Sequence, residues 1–157
     1  MILVSACLAG MKSTFKNKSK TNKKVVRLVK EGKAIPICPE QLGGLSTPRS
    51  GARIITGNGE DVLDNKSKVM TDDGTDVTNQ YLQGAYETLK IVRRFDANTI
   101  ITLQGSPSCG NERTQGGEKV RKRTKGDGVT VALLKRNGIK VLTQKDLNDK
   151  IFDEISK

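Results

Sequence analysis

Cys7, Cys38 and Cys109 are the only thiols of the chain, separated by 31 and 71 residues, and no histidine accompanies them. The missing imidazole removes Ser-His and Cys-His nucleophile pairs, the two-histidine iron site and every histidine-containing zinc site. What remains is chemistry by thiolate, carboxylate, hydroxyl or backbone. Thiolates are soft ligands, suited to zinc or iron-sulfur clusters rather than to magnesium or calcium. Three of them without a fourth Cys or His leave one position open, as in a catalytic rather than a structural zinc site. In a [4Fe-4S] cluster the same count leaves one iron without a protein thiolate, able to bind a substrate atom as a Lewis acid. The residue types leave zinc and a cluster both open, and any single cysteine reads as well as a small buried hydrophobe.

The elements around the cysteines argue that they act together. Ile2 to Cys7 is an apolar run bounded by Gly10, as in a strand covered on both faces. Val25, Val26, Leu28 and Val29 have helical spacing, with Asn22 as N-cap and Gly32 as stop. Ala34 to Cys38 predicts a second strand, ended by Pro39. Residues 39–76 are glycine-rich and predict mostly loop, with short β pieces at 53–56 and 68–71. A helix is expected over 77–94, capped by Asp76 and striped by Val77, Tyr81, Leu82, Ala85, Leu89 and Val92. Asn98 to Leu103 predicts a third strand, 111–125 a polar mobile segment, 129–137 a helix stopped by Gly138, 139–143 a fourth strand and 145–157 a last helix. Alternating strands and helices predict an α/β single domain over residues 1–157, a Rossmann-like, mostly parallel sheet with helices on both faces. Every cysteine then lies at or just past the carboxyl end of a strand, the side on which such sheets bind ligands.

Composition narrows the partners. At 157 residues the chain is long enough to bury about 70% of its unfolded surface. Aromatics are 3% with no Trp, so the core is aliphatic and platforms for stacking several bases are not expected. The net charge of +11 is concentrated in two segments. Residues 12–30 hold eight Lys or Arg and no acid, and 111–125 hold six against two, which leaves fourteen basic and fifteen acidic residues elsewhere. These segments are solvated loops, or they attract an anionic ligand such as a nucleotide or RNA. An odd cysteine count argues against a disulfide framework, and Met1 to Leu8 is too short and lacks the basic start of a leader. No apolar run reaches the ~20 residues that span a bilayer. A reduced, cytoplasmic protein without membrane attachment is expected.

Six motifs occur in order: Val4-Ser5-Ala6-Cys7-Leu8, Pro36-Ile37-Cys38-Pro39-Glu40-Gln41-Leu42-Gly43-Gly44-Leu45, Thr47-Pro48-Arg49, Gly59-Glu60-Asp61-Val62, Ser106-Pro107-Ser108-Cys109-Gly110 and Gly126-Asp127-Gly128-Val129-Thr130. Together they resemble the DUF523 family, whose characterised members are thiouracil desulfurases. The resemblance implies an oxygen-sensitive [4Fe-4S] cluster on Cys7, Cys38 and Cys109. It also implies non-redox hydrolysis of a thiolated pyrimidine, base or nucleotide, with the substrate sulfur on the open iron. The chain departs from the family where members commonly carry a Cys-Arg-Tyr-Asp-Gly-like stretch, here Met11 to Asn17, and where they often carry Lys and Glu, here Leu103-Gln104-Gly105.

Without histidine the attacking water needs a carboxylate base, and Glu40, two residues past Cys38, is held near the metal by connectivity alone. Ser106 and Ser108 flank Pro107 beside Cys109 and could bond the ring or the water. Arg49 is a candidate for pairing with a site carboxylate or a substrate phosphate, and Asp127 for facing the crevice while capping the helix near Val129. The competing expectation is a basic RNA-binding or sulfur-transfer protein in which the cysteines are structural or hold zinc.

Overall fold

The computed structural model describes residues 1–110, 113–115 and 123–157. Strands β1 (Ile2–Ser5), β2 (Ala34–Ile37), β5 (Thr99–Thr102) and β8 (Lys140–Thr143) form one parallel sheet in the order β2-β1-β5-β8. Two hairpin-like pairs lie outside it: β3 (Ala52–Ile54) with β4 (Val69–Thr71), and β6 (Arg113–Gln115) with β7 (Arg123–Lys125). The helices are α1 (Lys23–Lys30), α2 (Pro39–Leu42), α3 (Gly59–Leu63), α4 (Thr78–Arg94), α5 (Val129–Arg136) and α6 (Asp149–Ile155).

Period-two alternation sends the side chains of each strand to opposite faces, and both faces are covered. Leu3 and Ile100 pack with Tyr81, Ala85, Leu89 and Val92 of α4 and with Val129, Leu133 and Leu134 of α5. Ile2, Val4 and Ile101 pack on the other side with Val25 and Leu28 of α1 and with Leu142, Leu147 and Phe152. A fully buried Leu or Ile of this kind contributes roughly 1.5–3 kcal/mol, and Leu3, Leu28, Ile100 and Leu134 are at zero exposure. The expected α/β architecture is present.

Local signals behaved unevenly. Asn22 caps α1, accepting from the N–H groups of Lys24 and Val25. Gly32 and Gly138 take positive φ just past α1 and α5, the conformation that ends a helix at least cost. The first strand is shorter than expected: the chain leaves the sheet after Ser5 and turns through a 3-10 helix, Ala6–Ala9. Helix α3 was not expected among the glycines, but Asn58 and Asp61 close a capping box at its start. The expected cap from Asp127 does not form. Gly128 is the N-cap of α5 and no side chain caps it. Part of the expected mobile segment pairs as β6 and β7, and residues 111–112 and 116–122 lie outside the described residues. Among the described residues no helix is long and apolar enough to cross a membrane.

Candidate metal centre

The three cysteines reach one cavity from three strand ends. Cys7 sits in the 3-10 turn after β1, and its carbonyl accepts from the N–H of Lys20 at 2.9 Å, so the basic segment is fastened beneath it. Cys38 follows β2 and is the N-cap of α2, whose first residue is Pro39, a position that needs no N–H. Cys109 lies in the loop after β5. There the N–H groups of Val129, Thr130 and Val131 at the start of α5 donate to the carbonyls of Pro107 and Ser108 at 2.8 to 3.2 Å. Those orphan donors are therefore satisfied by the cysteine loop, which is why α5 has no side-chain cap.

Close backbone approaches hold both turns. A Cβ on Gly84 would lie 2.0 Å from the Pro39 carbonyl, and one on Gly43 2.0 Å from that of Gln80, so only glycines let α2 and α4 meet there. On the other side, a Cβ on Gly128 would lie 2.5 Å from the Ser108 backbone.

Cys7, Cys38 and Cys109 line a cavity of about 590 Å³ together with Glu40, Arg49, Ser106, Tyr81 and Phe15. Glu40 is 7% exposed. One of its oxygens accepts from Ser106 Oγ at 3.0 Å and the other from Cys38 Sγ at 3.4 Å, with Arg49 Nη2 3.9 Å away. Ser106 Oγ also accepts from the N–H groups of Ser108 and Cys109 at 3.1 and 3.2 Å, so one hydroxyl joins the Glu40 corner to the Cys109 loop. The Arg49 guanidinium donates to the carbonyls of Ser13 and Ser46 and to Thr47 Oγ1. Burial pushes the thiols up, Cys7 to about 11 and Cys38 to about 12, with the negative charge of Glu40 the next cause. Cys109 moves the same way for the same two reasons, opposed by a hydrogen bond from Ser5. Neutral thiols are thus the resting form without metal, and binding one would release their protons.

Six predicted residues therefore line the one cavity: Cys7, Cys38, Cys109, Glu40, Arg49 and Ser106. Ser108 is buried behind its loop, 2.7 Å from Thr130 Oγ1, and Asp127 is not a lining residue, its carboxylate pairing with Lys135 at 3.0 Å. Lys16, Lys18 and Lys20 of the first basic segment line the cavity, as does Lys145. The side chains of 111–125 lie outside the described residues. Sequence reasoning missed Ser5, Phe15 and Tyr81. The sequence places Tyr81 on an ordinary helical stripe, and only the approach of α4 to α2 turns that stripe toward the cysteines.

Donor chemistry can be tested against the two metals. Among the described residues no three Cys, Asp or Glu side chains close on a point that would hold a single ion. The three thiols line one cavity, and three soft donors without histidine are a set that an iron-sulfur cluster would accept.

The family model of 2-thiouracil desulfurase matches residues 2–146. The chain belongs to the 2-thiouracil desulfurase family. Within reach of this desulfurase family, the protein YbbK of Bacillus subtilis (strain 168) is 44% identical over 149 residues, 95% of this chain and 99% of that one. A solved structure of the [4Fe-4S]-dependent thiouracil desulfidase TudS superposes with a TM-score of 0.82 at 35% identity, covering 93% of this chain and 91% of that one. The desulfurase match spans all three cysteines, Glu40 and Ser106.

Proposed function

We propose that this protein is a desulfidase that replaces the C=S of a thiolated pyrimidine by C=O, taking in water and releasing hydrogen sulfide with no net electron transfer. The observation that carries this is the convergence of three thiols from three strand ends on one cavity that also holds a buried carboxylate. The similarity to TudS, a [4Fe-4S]-dependent thiouracil desulfidase, supports Cys7, Cys38 and Cys109 as the holders of such a cluster. When bound, that cluster supplies a Lewis-acidic iron for the substrate sulfur.

The protein's own groups do the rest. Glu40 is the general base, taking a proton from the water that attacks the ring carbon. Ser106 fixes one carboxylate oxygen by its 3.0 Å hydrogen bond, and Arg49 at 3.9 Å keeps positive charge beside the other. Ser108 is a positioning residue, its hydroxyl paired with that of Thr130 at 2.7 Å behind the Cys109 loop. Lys16, Lys18, Lys20 and Lys145 give the mouth a positive field that favours the nucleotide over the free base.

Anaerobic reconstitution with iron and sulfide tests the proposal. The expected product is brown, with about four irons per chain, and consumes the near-ultraviolet absorption of 2-thiouracil while sulfide appears. A colourless protein overturns the cluster, and stoichiometric zinc assigns the thiols to the other metal. RNA binding together with no turnover in a loaded protein would favour the nucleic-acid alternative.

A further inference from the structure

One polar group of the cavity has no task in the chemistry above. Tyr81 is 4% exposed and stands on the first turn of α4, where it lines the cavity with Cys38, Cys109, Glu40 and Arg49. No hydrogen bond joins its hydroxyl to another described residue, and Arg53 Nε is the one atom among the described residues that is both fully enclosed and unpartnered. The Tyr81 hydroxyl therefore opens on the cavity. A buried phenol without a partner forfeits a hydrogen bond, a cost that a ligand would recover. Burial, then the nearby Glu40 charge, push its ionisation well above the ordinary tyrosine range, so the oxygen keeps its proton and acts as a donor. The Arg49 guanidinium, which lines the same cavity beside Glu40, is already engaged by Ser13, Ser46 and Thr47. Glu40 is an acceptor held by Ser106 and Cys38.

We infer that Tyr81 is a substrate-binding and specificity-determining residue, its phenolic O–H donating to the carbonyl oxygen that a thiolated pyrimidine carries beside its C=S. This rests on the desulfidase reading and adds to it which ring atom the protein recognises. No bond is made or broken at Tyr81. A ring lacking that carbonyl loses the contact, and a hydrophobic slot of equal shape could not make the distinction.

Tyr81→Phe removes one oxygen and keeps the ring. In the reconstituted protein it is expected to keep wild-type iron content and melting temperature. KM for 2-thiouracil should rise about three- to tenfold, the worth of one net hydrogen bond, with kcat changed less than about twofold. The dissociation constant of uracil, measured by equilibrium dialysis, should rise by the same factor. As a second measurement, 2-mercaptopyrimidine, which lacks the carbonyl, should bind wild type and variant equally. Unchanged KM and uracil affinity in an active, cluster-loaded variant would overturn the inference and leave the desulfidase reading standing. Loss of iron in the variant would make Tyr81 part of the cluster's setting and overturn it too. A loaded wild type inert toward every thiolated pyrimidine would remove both.

Discussion

Two carboxylate–arginine arrangements sit at opposite extremes of this molecule. On the surface, Arg136 takes Asp64 in a two-pronged grip at 3.0 and 2.9 Å and Glu60 at 2.7 Å. In the cavity, Glu40 and Arg49 are nearly dry yet stand 3.9 Å apart, each spending its better hydrogen bonds on other groups. Geometry alone would rank the surface cluster first. Water and salt screen it, however, whereas a charge enclosed among low-polarity groups cannot escape its partners. The well-formed cluster ties α5 to α3 and contributes modestly. The loose pair keeps a carboxylate and a cation beside the thiols without locking them to each other.

The largest effect should come from the thiols that the cavity pair serves: Cys109→Ser is expected to abolish the visible absorption of the reconstituted protein, with Cys7→Ser and Cys38→Ser doing likewise. Glu40→Gln should retain iron and lose roughly 10²- to 10⁴-fold in turnover, as the loss of a general base does. Full activity in that variant would take Glu40 out of the mechanism. Arg49→Met leaves the buried carboxylate without its cation and should lower stability by about 3 kcal/mol in urea unfolding. Before metal is added, the same comparison can be read by alkylation. Cys7 and Cys38, raised to about 11 and 12, hold little thiolate at pH 8, so iodoacetamide should react slowly and faster as pH rises toward those values. Glu40→Gln removes a charge that raises both and should speed labelling several-fold. Arg136→Ala, at the surface, should change the unfolding midpoint least, and the difference should vanish in high salt.

The parts of the fold that depend on local rules were readable in advance. Apolar runs gave the four parallel strands, Asn22 started α1, and the glycines at 32 and 138 ended helices. Glu40 was recoverable because connectivity places it beside Cys38. Other features depend on distant backbone and leave no local trace. The start of α5 is satisfied by carbonyls of the Cys109 loop, so the Asp127 cap suggested by its neighbours is not needed. Tyr81 sits in an ordinary helical stripe and becomes a cavity residue only because Gly43 and Gly84 let two backbones touch. Helix α3 hid among glycines that favour loop, its capping box being the one signal that could have revealed it. Three of the four lining lysines, Lys16, Lys18 and Lys20, come from the basic segment that leaves the sheet at Cys7.

The sheet order has a consequence for how the molecule is made. The turns bearing Cys7, Cys38 and Cys109 become neighbours only after β1 has found β2 on one side and β5 on the other, the second pairing joining Ile2 to Thr99 across most of the chain. Parallel pairings over such separations close long loops and are slow to form. During synthesis the amino-terminal thiol must wait for a strand made far later. Until then the nascent chain offers three separate sulfurs and no centre. Iron supplied too early would meet isolated thiols, so assembly of the site awaits the pairing of β1 with β5.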